Sequence, residues 1–241
     1  MDVEYQKRLL DTYRDGLLND TLPFWFPRCV DEDHGGFLLA RDRDGSLLDD
    51  DKGMWQQCRA TWLLATLYNT VESKSDWLIW AKSGLRFIER HGRDSDGRMW
   101  FHVTRDGSPI RKRRYAFTEC FGSIAYASLS KATGDSALAG TSRELFSLAK
   151  KHFSNPPLTE SKFTDTRPMK SIGVPMIKLV TAQELRLNLS DESFTADVDD
   201  AIDEIRRDFM KPDVECVMES VALDGSIIDH FEGRMLNPGH A

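Results

Sequence analysis

Gly36-Phe37-Leu38-Leu39-Ala40 runs into Asp42-Arg43-Asp44-Gly45-Ser46 and out through Leu47-Leu48. A short apolar run, an Asp-Gly turn and a second short run are the pattern of a hairpin, because glycine accepts the positive φ that a tight turn demands. The pattern returns twice. Arg98-Met99-Trp100-Phe101-His102-Val103 leads into Arg105-Asp106-Gly107-Ser108 and Pro109-Ile110, and Glu215-Cys216-Val217-Met218-Glu219-Ser220-Val221 leads into Asp224-Gly225-Ser226 and Ile227-Ile228. The turn glycines stand at 45, 107 and 225. That spacing sets a repeat of about 60 residues, with one copy lacking its hairpin near the loop 155–171, and self-similarity at such a period suggests stacked supersecondary units.

Between the hairpins the apolar spacing turns helical. Helices are expected over Met54–Val71, Asp76–Arg90, Tyr115–Thr133, Asp135–His152, Ser171–Leu189 and Ser193–Met210. Gly134-Asp135 and Ser190-Asp191 each read as a helix stop followed by an N-cap. Helix pairs with hairpins inserted at one end predict an all-α-dominated α/α toroid, with inner and outer helices, forming one domain over 1–241. Asn237-Pro238-Gly239-His240 reads as a helix start, with Asn as N-cap and Pro at the first position, and only Ala241 follows. At ~60 residues per unit the chain holds about four units where a closed toroid takes about six, so an incomplete toroid is expected, the N-terminal part of a longer domain.

Composition narrows the partners. The 39 acidic and 32 basic side chains leave a net charge of −7, which offers no basic footprint for nucleic acid or an anionic membrane. No apolar run approaches the ~20 residues of a membrane span, and the charged start MDVEYQKRLLDTYRDG has no signal-peptide core. Cys29, Cys58, Cys120 and Cys216 lie far apart without a CxxC pair, which predicts reduced thiols in a cytoplasmic protein.

Several side chains could carry chemistry. His240 would sit in the first turn of its helix, where the dipole keeps an imidazole neutral and able to accept a proton; a surface histidine at a frayed end is the plainer alternative. Arg59 lies one helical turn from both Trp55 and Trp62, so it either stacks between indoles and holds a substrate oxygen, or snorkels from a helix contact. Glu119, in Phe117-Thr118-Glu119-Cys120-Phe121, is either a sugar ligand or one end of a buried ion pair. Lys170 and Met176 open another inner helix, where Met is more often core than pocket. His34 lies in a turn, and His91, His102, His152 and His230 have no partner at ligand spacing. No GxGxxG, P-loop, GxSxG or HExxH is present.

Asp33-His34-Gly35-Gly36-Phe37, Lys52-Gly53-Met54-Trp55-Gln56-Gln57-Cys58-Arg59, Phe117-Thr118-Glu119-Cys120-Phe121 and Gly233-Arg234-Met235-Leu236-Asn237-Pro238-Gly239-His240-Ala241 together resemble the N-acylglucosamine 2-epimerase family, from about Phe24 to the last residue. The resemblance implies an (α/α)6 barrel whose inner helix ends surround a sugar pocket, and interconversion of N-acylglucosamine and N-acylmannosamine through the C2 proton of the open-chain sugar. It implies that His240 is one of two catalytic histidines and that Arg59 steadies the C1 oxygen as an enediolate forms. Trp55, Phe117, Met176 and Asn237 match pocket-lining positions. The family continues with a Glu three residues beyond this histidine and with a second catalytic histidine downstream, both beyond Ala241. No metal or redox cofactor is implied; ATP, an allosteric activator of some relatives, leaves no readable site. A homodimer is allowed. Two rivals remain at this point, a glycoside hydrolase on the same barrel using two of Asp33, Glu119 and Glu219, and a non-catalytic sugar-binding or interaction protein.

Overall fold

The computed structural model describes residues 2–154 and 163–236. Helix α1 (Val3–Asp15), capped by the Asp2 carboxylate, continues through a π-turn (Gly16–Thr21) into α2 (Leu22–Trp25). Strands β1 (Ala40–Arg41) and β2 (Leu47–Asp49) follow, then β3 (Lys52–Gly53), α3 (Met54–Thr70) and α4 (Ser75–His91). The next unit is β4 (His102–Val103), β5 (Pro109–Arg111), α5 (Phe117–Thr133) and α6 (Ser136–Phe153). The last is β6 (Met169–Ser171), α7 (Gly173–Leu189), α8 (Thr195–Glu204) with a π-turn (Ile205–Phe209), β7 (Met210–Lys211), β8 (Cys216–Val217) and β9 (Ser220–Ala222).

Helices α3, α5 and α7 pack side by side as an inner layer, and α4, α6 and α8 each fold back on the inner helix before it. The sequence dictates the layering. On α4 the buried residues Trp77, Ala81, Leu85 and Ile88 recur at the spacing of one stripe, as an outer helix with a wet face requires. On α5 an unbroken buried run, Gly122 to Ser130, is rich in Gly, Ala and Ser, so neighbours approach from every side. The Ser123 and Ser142 hydroxyls each donate to the other's carbonyl at 2.8 Å, stitching α5 to α6. Gly134 ends α5 in the left-handed conformation and Asp135 caps α6; Ser190 and Asp191 repeat the device after α7.

The first two hairpins form as expected, β1 with β2 and β4 with β5. The third does not. Its Asp-Gly turn closes, with the Gly225 N–H on the Ala222 carbonyl, but its arms pair elsewhere: β9 with β6 and β8 with β7. Ile227-Ile228 adds no strand. Lys170 accordingly lies in a strand, and α7 begins only at Gly173. The pairing of β6 with β9 repeats that of β3 with β4: the strand ahead of an inner helix joins the strand behind the next outer helix. The expected helix to Met210 stops at Glu204, loosens into the π-turn, and gives way to strand β7 just before Pro212, which disfavours helical geometry in the residue ahead of it.

Each turn glycine docks on a side chain of an earlier segment: Gly45 on Arg28 after α2, Gly107 on His91 at the end of α4, Gly225 on Asp208 in the π-turn after α8. Gly107 has φ +95°, and a Cβ there would run into the His91 ring. Gly107→Ala therefore combines left-handed strain with overpacking, and a loss of about 2–4 kcal/mol in urea unfolding is expected; a loss under about 0.5 kcal/mol would show that the turn does not seat there.

The first hairpin is locked to α3 by a buried ion cluster. The Lys52 ammonium donates to Asp31 (2.8 Å) and to the carbonyls of Gly35 (2.7 Å) and Arg105 (2.8 Å), and lies 4.1 Å from the Phe87 ring centroid. Arg105 forks onto both Asp31 oxygens at 3.0 and 2.8 Å. Lys52 and Asp31 are fully buried.

Candidate active site

The N-terminal turns of α3 and α5 meet in a face built from three of the residues singled out above, Trp55, Arg59 and Phe117, together with Phe121. Arg59, exposed on α3, holds its guanidinium 5.7 Å from the Trp55 ring and 5.4 Å from the Phe121 ring, and those rings are 6.1 Å apart. No carboxylate pairs with Arg59 among the described residues. Its second wall is thus Phe121 of α5, not Trp62. Trp62 turns instead to α7, where its indole N–H donates to Glu184 at 2.8 Å. One turn from Phe121, Phe117 stacks on Tyr115 at 5.6 Å. Its ring tip lies 3.7 Å from where a Gly173 Cβ would stand, so the starts of α5 and α7 meet there. Phe121 carried no assigned role; its i+4 spacing from Phe117 was the available signal.

Met176, half-buried near the start of α7, packs against Ile172, Phe209, Met218 and Val221, the apolar cluster that holds α7 to β9. Asn237 and His240 lie outside the described residues. The strand pairing does bring their approach to the same end: Met218 bridges Leu236, the Glu219 N–H donates to the Met235 carbonyl at 2.9 Å, and the Ile172 N–H donates to the Glu219 carbonyl at 3.1 Å. Glu219 is half-buried and accepts from the Ser171 hydroxyl at 3.4 Å.

Glu119 takes the ion-pair alternative. It is fully buried, and one oxygen accepts from Arg98 at 2.5 Å and from the Met99 N–H at 2.9 Å. Arg98 also reaches the Arg113 carbonyl and lies 3.5 Å from the His152 ring nitrogen. Burial first, then the Arg98 charge, lowers the His152 pKa from its ordinary 6.5. An imidazole that resists protonation only when folded supports stability above pH 6.5 and loses that support as pH falls below it. Unfolding free energy should therefore decline on acidification from about pH 6.5, and His152→Gln should flatten that limb; an unchanged slope would remove His152 from the account.

The cysteines are unpaired thiols, and burial pushes Cys29 and Cys120 up to about 12, so neither offers a thiolate. Asp49, Asp50 and Asp51 lie close enough to share a cation, in an exposed acidic group of a kind common without one. Two clefts, of about 400 and 430 Å³, run along α4 and share no residue with the Trp55–Arg59–Phe121 face. No helix among the described residues is long and apolar enough to cross a membrane.

Three inner helices side by side, each backed by an outer helix, carry aromatic rings and an arginine without a carboxylate partner among the described residues at their N-terminal ends. The cellobiose 2-epimerase of Bacillus thermoamylovorans superposes with a TM-score of 0.80 at 18% identity, over 92% of this chain and 61% of that one. A D-mannose isomerase gives 0.76 at 17%, over 90% and 56%. These likenesses place the fold among the (α/α)6 barrels. Residues 35–241 match the family described as N-acylglucosamine 2-epimerase (GlcNAc 2-epimerase), and the chain belongs to that family. The N-acylglucosamine 2-epimerase of Bos taurus is 28% identical over 251 residues. That match covers 99% of this chain and 59% of the bovine protein, so the chain spans a little under three-fifths of its curated relative.

Proposed function

We propose that the chain carries the N-terminal part of a sugar 2-epimerase site that interconverts N-acylglucosamine and N-acylmannosamine on the open-chain sugar. The observation that carries this is Arg59, walled by Trp55 and Phe121 with no carboxylate partner among the described residues. A C–H next to a carbonyl yields its proton only if the enediolate is stabilised as it forms, and a fixed, unneutralised guanidinium supplies that stabilisation at the C1 oxygen. His240 then takes the C2 proton as a neutral imidazole, and a second group returns one to the opposite face. Trp55 and Phe117 offer apolar surface to the sugar ring, with Met176 and Asn237 completing the lining by family likeness.

Two of the three acids open to the hydrolase reading are engaged by arginines: Glu119 by Arg98, and Asp33, which accepts from Arg105 at 2.9 Å. ATP as an activator, a homodimer and a cytoplasmic location remain parts of the proposal; three buried free thiols support the last. The test is proton NMR of N-acetylmannosamine with the protein in D2O, read at the C2 proton. Exchange that is abolished by Arg59→Ala and retained in Glu119→Gln is expected; exchange that survives the arginine change would take the enediolate role from Arg59.

A further inference from the structure

Phe117, Ser171, Gly173 and Glu219 come from three segments of the chain. All four are half-buried, while the residues beside them, Ala116, Ile172, Met218 and Ser220, turn into the core. They share the surface at the N-terminal end of α5 and α7. A Cβ on Gly173 would lie 3.7 Å from the Phe117 ring tip and 3.6 Å from the Ser171 hydroxyl. That hydroxyl accepts from the Gly173 N–H at 3.3 Å and donates to the Glu219 carboxylate at 3.4 Å. Ring, bare backbone, hydroxyl and carboxylate are thus neighbours in that order.

Each wall of this corner is fixed. Ser171 faces Ser220 across β6–β9, and the Ile172 N–H holds the Glu219 carbonyl at 3.1 Å. The Phe117 ring lies between Tyr115 at 5.6 Å and Phe153 at 6.0 Å. The corner is also continuous with the arginine face. Phe121 stands one turn along α5 from Phe117, about 5–6 Å between Cβ atoms, and its ring centroid is 5.4 Å from the Arg59 guanidinium.

We propose that Ser171, Gly173 and Glu219 form the subsite for the acylamino group on C2, so that this corner distinguishes an N-acylhexosamine from a plain hexose. The inference rests on the reading of Arg59 as the contact to the C1 oxygen; a substituent on C2 then starts beside Arg59 and extends past Phe121 and Phe117. A secondary amide presents one N–H and one carbonyl, and the two polar groups here complement them. A carboxylate has lone pairs for several donors, so Glu219 accepts the amide N–H. The Ser171 hydroxyl is held loosely, at 3.4 Å where an O–H···O bond is usually about 2.7–2.8 Å, and turns to the acyl carbonyl at little cost. The acyl methyl occupies the space over Gly173 against the Phe117 ring. A plain hexose, with a hydroxyl on C2, does not fill that space.

The spacing supplies a variant that tests this space alone. Gly173 does not have a positive φ, and its Cβ would meet its neighbours at ordinary contact distances, so Gly173→Ala keeps the fold. Saturation-transfer NMR of the 241-residue protein, titrated with N-acetylmannosamine and with mannose, reads the affinity for each sugar. N-acetylmannosamine should bind about tenfold tighter than mannose, the contribution of one hydrogen bond to a charged group. Gly173→Ala and Glu219→Ala should each cut that advantage to under about twofold while changing mannose affinity by less than about twofold; Arg59→Ala should weaken both sugars. Equal affinity of the parent for the two sugars, or an acyl advantage that survives either substitution, would overturn the subsite. So would a loss of mannose binding as large as that of N-acetylmannosamine, which would make the Ser171–Glu219 tie a structural one. Mannose binding is scored separately, so the subsite can fail while the sugar site stands. If neither sugar binds, both readings fall.

Discussion

Arg59→Ala is expected to lower C2 proton exchange on an N-acylhexosamine by about 10²–10³-fold, the usual cost of removing one preorganised oxyanion donor. The guanidinium is exposed and makes no ion pair, so the folded state loses only its contacts to Trp55 and Phe121. Thermal stability should stay within about 2 kcal/mol of the parent, since exposed cation–π contacts contribute ~0.5–1 kcal/mol each. That separation between chemistry and stability is the informative part. Arg59→Lys keeps the charge but loses the planar fork, and should recover only a small part of the rate. A parent-like exchange rate in Arg59→Ala would show that the aromatic-walled arginine is a surface feature.

The largest stability effect is expected at Asp31. Asp31→Ala strands the buried Lys52 ammonium without its carboxylate, a change that costs about 3–5 kcal/mol. In a chain of this size that corresponds to a fall in melting temperature of about 6–20 °C, at ~2–4 °C per kcal/mol. Burial alone would raise the Asp31 pKa, but the hydrogen bonds from Arg105 and Lys52 outweigh it and hold the carboxyl well below the usual carboxylate range. The sign follows. A carboxylate depressed in the folded state stabilises fully above its unfolded value of about 3.9, and that contribution is lost as pH falls below it. Differential unfolding at neutral and acidic pH should show the gap between parent and variant narrowing in acid. Asp31→Leu combined with Lys52→Met should recover much of the loss, because an apolar pair of similar volume carries no desolvation penalty. If the double variant is as unstable as Asp31→Ala, the cluster does more than neutralise a buried charge.

Much of this architecture is legible in the chain, and the exceptions have physical reasons. Long periodic helices declare themselves: α3 through α7 begin and end within two residues of the expected bounds, because caps such as Asp135 and stops such as Gly134 are local chemistry. Strand pairing is not local. Nothing near Ile227-Ile228 announces that Val221 will pair with Lys170 some fifty residues upstream, so the third Asp-Gly turn looks like a hairpin and is not one. The same limit applied at the site. Arg59 and Trp55 share a helix and could be paired by spacing alone, whereas Phe121 comes from another segment brought alongside by the fold. Glu119 shows the opposite case: the bland alternative, a buried ion pair, is the one adopted, because its partner Arg98 lies just ahead of the same hairpin.

The central claim is that the N-terminal face of α3 and α5 activates the C2 proton of an open-chain N-acylhexosamine. Proton NMR of N-acetylmannosamine incubated with the protein in D2O tests it most directly, by following the C2 proton signal. Loss of that signal through deuterium uptake, absent with Arg59→Ala and with His240→Gln, is the predicted result. A C2 proton that stays intact while the sugar demonstrably binds would contradict it and leave a sugar-binding face without proton chemistry.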